Sequence, residues 1–148
     1  MANKVLTIEL VRTYMRDFLA RNDLLQTLQF SDDEILTAMD LAVDMYNIMT
    51  PLLSPTYTIE TFPNRYLLLL GTVANLLHGE SIANLRNQLS YSDGGVSVNV
   101  DDKMSQYAQL GSTLEAKFND ACENYKKQIN AEDAFGGSDS GYSILPTL

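Results

Sequence analysis

Residues 66–77 read Tyr66-Leu-Leu-Leu-Leu-Gly-Thr-Val-Ala-Asn-Leu-Leu77. From Leu67 to Leu77 the run is apolar nearly all round. That predicts a helix at the centre of a core, because a surface helix shows one apolar stripe and one polar face. The run is much shorter than the ~20 residues needed to span a bilayer. Pro63, a favoured first-turn residue, marks the expected start, and the pattern carries the helix to about Gln88. Gly71 and Gly79 are small interruptions, and Gly71 offers a place where another helix can approach closely.

The other helices read as partners for this one. A first helix is expected from about Thr7, its cap, to Ala20. Ile8, Val11, Met15, Phe18 and Leu19 share one face, with Arg12, Arg16 and Asp17 on the wet side. A second starts at Ser31-Asp-Asp-Glu34, where serine and glutamate have capping-box spacing and three acids suit the positive end of the helix dipole. Its stripe is Ile35, Met39, Ala42, Val43, Tyr46 and Met49, and Pro51 ends it. Residues 50–63 hold Pro51, Pro55 and Pro63 and read as a long loop with a short extended piece at Tyr57-Thr-Ile59. A last helix is expected from Asp101 or Asp102 to about Asn130. Met104, Tyr107, Leu110, Leu114, Phe118, Ala121, Tyr125 and Ile129 line one face, and Gly111 weakens it slightly.

Between the last two helices, residues 89–100 alternate in the β manner. Leu89 and Tyr91 alternate with serines, and Val96, Val98 and Val100 alternate with Ser97 and Asn99. Asp93-Gly94 signals a tight turn, so the expectation is a β-hairpin. From Ala131 the composition becomes linker-like and then turns apolar again at Tyr142-Ser-Ile-Leu-Pro-Thr-Leu148. The expected architecture is mainly α: a bundle of about four helices with one β-hairpin and an extended C-terminal arm. The domain spans 1–130 and the arm 131–148.

The chain has 148 residues and a formal net charge of −9, from 19 acids and 10 bases. The hydrophobic fraction of 45% is that of a globular domain. The charge argues against a dedicated nucleic-acid binder, which carries a basic patch. One cysteine, Cys122, leaves no intramolecular disulfide, and one histidine, His78, leaves no histidine-rich metal site. No signal-peptide pattern follows the N-terminus, so a cytosolic origin is expected. Asp32, Asp33 and Glu34 read as capping residues, His78 as a packing or interface residue and Cys122 as a small core residue. Ser138 and Ser140 among Gly136, Gly137 and Gly141 lack the lysine and helix start of a phosphate loop and read as a spacer. No catalytic residue, cofactor or metal is expected.

No lysine or arginine occurs between Arg21 and Arg65, while that interval holds Asp23, Asp32, Asp33, Glu34, Asp40, Asp44 and Glu60. The second helix therefore presents an acidic face: a solvated surface, or a face for a basic partner. Arg12 and Arg16, one turn apart, are candidates for contacting phosphates or a neighbour's acids. A lone hairpin is not stable in water, so helices must pack on it or another chain must extend it. Interface candidates are Tyr91, Asp93, Gly94, Gly95, Val96 and Val98 of the hairpin, with Phe135, Tyr142, Ile144, Leu145 and Leu148 of the arm.

The block Arg86-Asn87-Gln-Leu-Ser-Tyr91-Ser92-Asp93-Gly94-Gly95-Val96-Ser97-Val98, flanked by two long helices, resembles small virion structural proteins of tailed bacteriophages. It is most similar to head-to-tail connector or neck adaptor proteins, over about Asn64 to Tyr125. The resemblance implies a non-enzymatic adaptor made in the host cytoplasm and placed in the neck of the virion. It implies a homo-oligomeric ring, usually twelvefold, between a portal protein and a tail or nozzle protein, gripped through hairpin and terminal arms. DNA would pass through the lumen without sequence-specific binding, and no membrane is involved. The alternatives are a small acidic helical binding module or regulator acting as monomer or dimer, and an enzyme whose site is assembled from scattered residues such as His78, Glu80 and Tyr107.

Overall fold

The computed structural model describes residues 5–21, 27–54, 56–86, 90–93, 96–99 and 104–135. Four α-helices occur among them: α1 (Ile8–Met15), α2 (Asp32–Ile48), α3 (Arg65–Arg86) and α4 (Met104–Phe135). A 3-10 turn, Leu19–Arg21, follows α1. Strands β1 (Ser90–Asp93) and β2 (Val96–Asn99) precede α4.

The chain around Leu68 is the centre of the bundle. Every residue from Leu67 to Ala74 is buried, and α3 packs against α2, α4 and α1. Thr72 is fully buried, but its hydroxyl donates to the Leu68 carbonyl at 2.7 Å and so carries no desolvated orphan into the core. Gly71 is where the helices come closest. A Cβ there would lie 2.8 Å from Ala42 Cβ on α2 and 3.0 Å from Phe118 Cε2 on α4. The missing side chain is what lets both neighbours approach α3 at one level. Gly79 has open space above it.

The start of α3 lies two residues later than Pro63 suggests, at Arg65. Asn64 is the cap, its side-chain oxygen accepting from the Tyr66 N–H at 2.9 Å, and Pro63 lies before it. The start of α2 is as expected. Ser31 Oγ accepts from the Glu34 N–H at 3.2 Å, and Glu34 Oε2 accepts from the Ser31 N–H at 2.7 Å. Thr7 caps α1, accepting from the Leu10 N–H at 3.3 Å.

Three expectations are corrected. First, α1 ends at Met15 instead of reaching Ala20, because Arg16 takes left-handed φ 61° and the Asp17 N–H turns back to the Arg12 carbonyl at 3.0 Å. Phe18 and Leu19 consequently leave the apolar face and are exposed. Second, the described part of the 50–63 loop contains no strand. Asn47 holds it instead, donating to the Tyr57 carbonyl and accepting from the Tyr57 N–H, both at 2.9 Å. Phe62 and Tyr57 then stack edge-on against Tyr46, with centroids 4.8 and 5.6 Å away. Third, α4 runs through Phe135, so residues 131–135 are helix and not linker.

β1 and β2 pair antiparallel, with Tyr91 opposite Val98, Ser92 opposite Ser97 and Asp93 opposite Val96. Asp93, expected at the centre of the turn, is thus the last paired residue of β1, opposite Val96. Gly94, Gly95, Tyr142, Ile144, Leu145 and Leu148 lie outside the described residues.

Candidate functional site

Charged groups expected on the wet side of the molecule serve the fold. Asp17 is only 4% exposed. It receives Arg12 Nη1 at 2.8 Å and the backbone N–H groups of Gln29 and Phe30 at 2.8 and 3.2 Å. Arg12 Nη2 reaches Asp32 at 2.6 Å. One arginine thus ties the end of α1, the segment before α2 and the first turn of α2 together through charge-assisted bonds. Arg12 is therefore engaged within its own chain, contrary to the expectation that it contacts phosphates or a neighbour's acids. Glu34 has its carboxyl held below the usual range by the Ser31 backbone and hydroxyl groups that bond to it.

Lys126, a base of α4, is 1% exposed. Its Nζ donates to the carbonyls of Tyr46 and Met49, the latter at 2.6 Å, and lies 4.4 Å from the centroid of the Tyr46 ring. The last turn of α2 has no basic residue of its own. The ammonium from α4 supplies the positive charge that this negative helix end favours, and it satisfies carbonyls that helix termini leave open. Burial pushes the lysine below its ordinary value. It pushes the thiol of Cys122, one turn away, up to about 12, with Lys126 opposing the rise. A thiol so protonated and buried matches a packing role. The sequence does hold a signal for Lys126. Leu114, Phe118, Cys122 and Lys126 recur every four residues, and the first three are buried core residues.

His78 Nε2 hydrogen-bonds Glu115 Oε2 at 3.1 Å, joining α3 to α4. Its ring sits over Gly111, where a Cβ would lie 3.2 Å from His78 Cε1. Gly111, expected only to weaken α4, makes room for this imidazole. No group of three or more His, Cys, Asp or Glu side chains able to hold a metal ion occurs among the described residues. No helix among them is long and apolar enough to cross a membrane.

Large apolar side chains also stand exposed, among them Leu41, Tyr66, Leu85 and Leu110. Two grooves differ in chemistry. One, of about 430 Å³, lies between α2 and α3 over Ala38, Leu41, Gly79 and Ala83 and is rimmed by Asp33, Glu34 and Glu80, with Arg86 at one end. The other, of about 340 Å³, lies between α1, α3 and α4 and is lined by Tyr14, Met15, Val73, Leu77, Tyr107, Leu110 and Leu114, with Phe30 and Gln29 at its side. No acid or base lines the second groove. Leu110, which its spacing places on the apolar stripe of α4, is 50% exposed and lines this groove beside Tyr14 and Met15 at the end of α1. Neither groove was visible in the sequence, since each is made by residues from elements distant in the chain.

Of the sequence-derived interface residues, Tyr91, Asp93, Val96 and Val98 lie on the paired strands. Phe135 ends α4 at about 46 Å along the helix from Met104, the end to which β2 leads. These candidates therefore belong to opposite ends of the longest helix. No protein-family model, curated protein or solved structure matches this chain.

Proposed function

We propose that the chain is a non-enzymatic assembly adaptor that joins copies of itself into a ring between the portal and the tail of a tailed-phage virion. One observation carries the reading: the charged constellations with chemical potential are engaged in holding helices together, whereas apolar side chains line open grooves. Arg12, Asp17, Lys126 and Cys122 are buried or nearly so, and Leu110 and Leu41 are half exposed. Surfaces of that kind mark contact sites. The paired strands and the apolar segment after α4 add two elements suited to reaching a neighbour, by strand addition or by insertion of side chains. The resemblance to neck adaptors supplies the identity of the assembly, and the acidic balance suits a wall past which DNA slides.

The test is the native mass of the complex that holds the endogenous protein. The adaptor reading expects a very large particle with many copies of the chain. A free monomer in the source contradicts it. The acid-rimmed groove between α2 and α3 favours a second reading, a small binding module that captures a basic segment. A one-to-one complex with a basic partner is the result that would establish that reading instead.

A further inference from the structure

We propose that the neutral groove between α1, α3 and α4 is the receptor for the segment Tyr142–Leu148 of a second copy of this chain. The inference rests on the adaptor reading and names the surface that its arm enters. The first argument is chemical. On a chain of net charge −9, this groove is lined by side chains such as Met15, Val73, Leu77 and Leu114 and by no acid or base. Residues 142–148 contain no charged side chain and four large apolar ones, Tyr142, Ile144, Leu145 and Leu148. The groove between α2 and α3 is the poorer fit. Its acidic rim suits a base, and residues 136–148 contain none.

The second argument is reach. Leu114 is the groove residue nearest the end of α4, 21 positions before Phe135 and so about 31 Å along the helix. Seven residues lead from Phe135 to Tyr142 and span at most about 25 Å when fully extended. The backbone at Tyr142 falls short of the groove of its own chain, so the whole segment cannot seat there, although Leu145 and Leu148, ten and thirteen residues beyond Phe135, span up to about 36 and 47 Å and can touch it. A second copy has no such limit. The Gly136-Gly-Ser-Asp-Ser-Gly141 stretch supplies a flexible tether to it. Groove on one subunit and arm on the next is a head-to-tail contact, the kind that closes into rings.

The probe is a fluorescein-labelled peptide of residues 136–148. The receptor is the full chain carrying Ile144→Asp and Leu145→Asp, which disable its own arm. Saturable binding is expected, followed by fluorescence polarisation. Leu110→Asp, or the milder Leu110→Gln, weakens it by about tenfold or more, the worth of one buried leucine. Leu41→Asp, in the other groove, leaves it unchanged. Absence of binding at millimolar receptor, or binding lost through Leu41 and not Leu110, overturns the assignment. The adaptor reading is judged separately, by sedimentation of the unaltered chain. Peptide binding with a chain that stays monomeric discards the ring and the second copy together, and leaves the groove to the chain's own arm. Assembly without peptide binding keeps the ring and discards the groove.

Discussion

The two halves of α4 lie on one continuous helix and have opposite fates. From Phe118 to Lys126, every fourth residue is sealed, including a lysine. From Tyr107 to Leu114, the same helix leaves Leu110 half exposed above an open groove. The hydrophobic pattern is similar in both halves, so it does not decide the outcome. What decides it is the length of the element laid across. The end of α2 and the loop it leads into cover the second half, with Tyr46, Tyr57 and Phe62 stacked against one another. On the first half, α3 packs through Val73, Leu77 and His78, and the eight-residue α1 borders it only at the groove, through Tyr14 and Met15. Burial of an amphipathic helix is thus set by its neighbours' ends, and where they do not seal it a groove stays open.

The largest effect that would break this comparison comes from Lys126→Met. The substitution keeps the stem but leaves the Tyr46 and Met49 carbonyls without their donor in a buried site. Loss of charge-assisted bonds there costs about 3 kcal/mol, read as a lowered urea midpoint. Gly71→Ala follows, at about 1–3 kcal/mol, because its methyl group meets Ala42 and Phe118 inside contact distance. The same change at Gly79, where nothing lies within 4 Å, stabilises the helix by up to about 1 kcal/mol. The pair of variants thus reads the difference between a sealed and an open stretch of α3.

A pH titration sharpens the sealed side further. Cys122 has a folded-state value of about 12 against an ordinary 9, so above pH 9 the unfolded chain releases the thiol proton and the folded chain keeps it. Stability from this group is complete below pH 9 and falls as pH rises towards 12, by at most about 1.4 kcal/mol per unit. Lys126, displaced downwards, acts with the opposite sign below its ordinary 10.5. The expected observation is therefore a difference: Cys122→Ala flattens the alkaline loss of stability measured by urea unfolding between pH 8 and 10.5. Equal slopes in the two proteins would show that the thiol ionises in the folded core.

The parts of this fold that were legible in the sequence are local or periodic. The capping box at Ser31 and Glu34 needs only four consecutive residues. The central position of α3 follows from apolarity on every side, and the close approach at Gly71 from a glycine inside that run. What was not legible depends on tertiary partners. Arg12 and Asp17 are five positions apart, a spacing that does not place them together on a regular helix. They meet because Arg16 bends the chain. The role of Lys126 is hidden in the sequence because its partners, the Tyr46 and Met49 carbonyls, lie nearly eighty residues earlier. The end of α4 was misplaced for a different reason. Composition shifts at Ala131, but Ala131-Glu-Asp-Ala contains no helix breaker, and the first glycine comes at Gly136. The grooves themselves are products of helix packing, so the candidate surface could not be assigned from the chain alone.

The most direct test measures stability and assembly on the same two samples. Lys126→Met and Leu110→Asp chains are each unfolded in urea and each sedimented under native conditions beside the unaltered protein. The account predicts that Lys126→Met lowers the midpoint while the folded protein assembles normally. It predicts that Leu110→Asp stays within about 0.5 kcal/mol of the unaltered stability, as exposed positions do, but sediments as a monomer. A Leu110→Asp chain that is as unstable as Lys126→Met, or that assembles as well as the unaltered chain, would contradict the division of α4 into a half that holds the fold and a half that holds a neighbour.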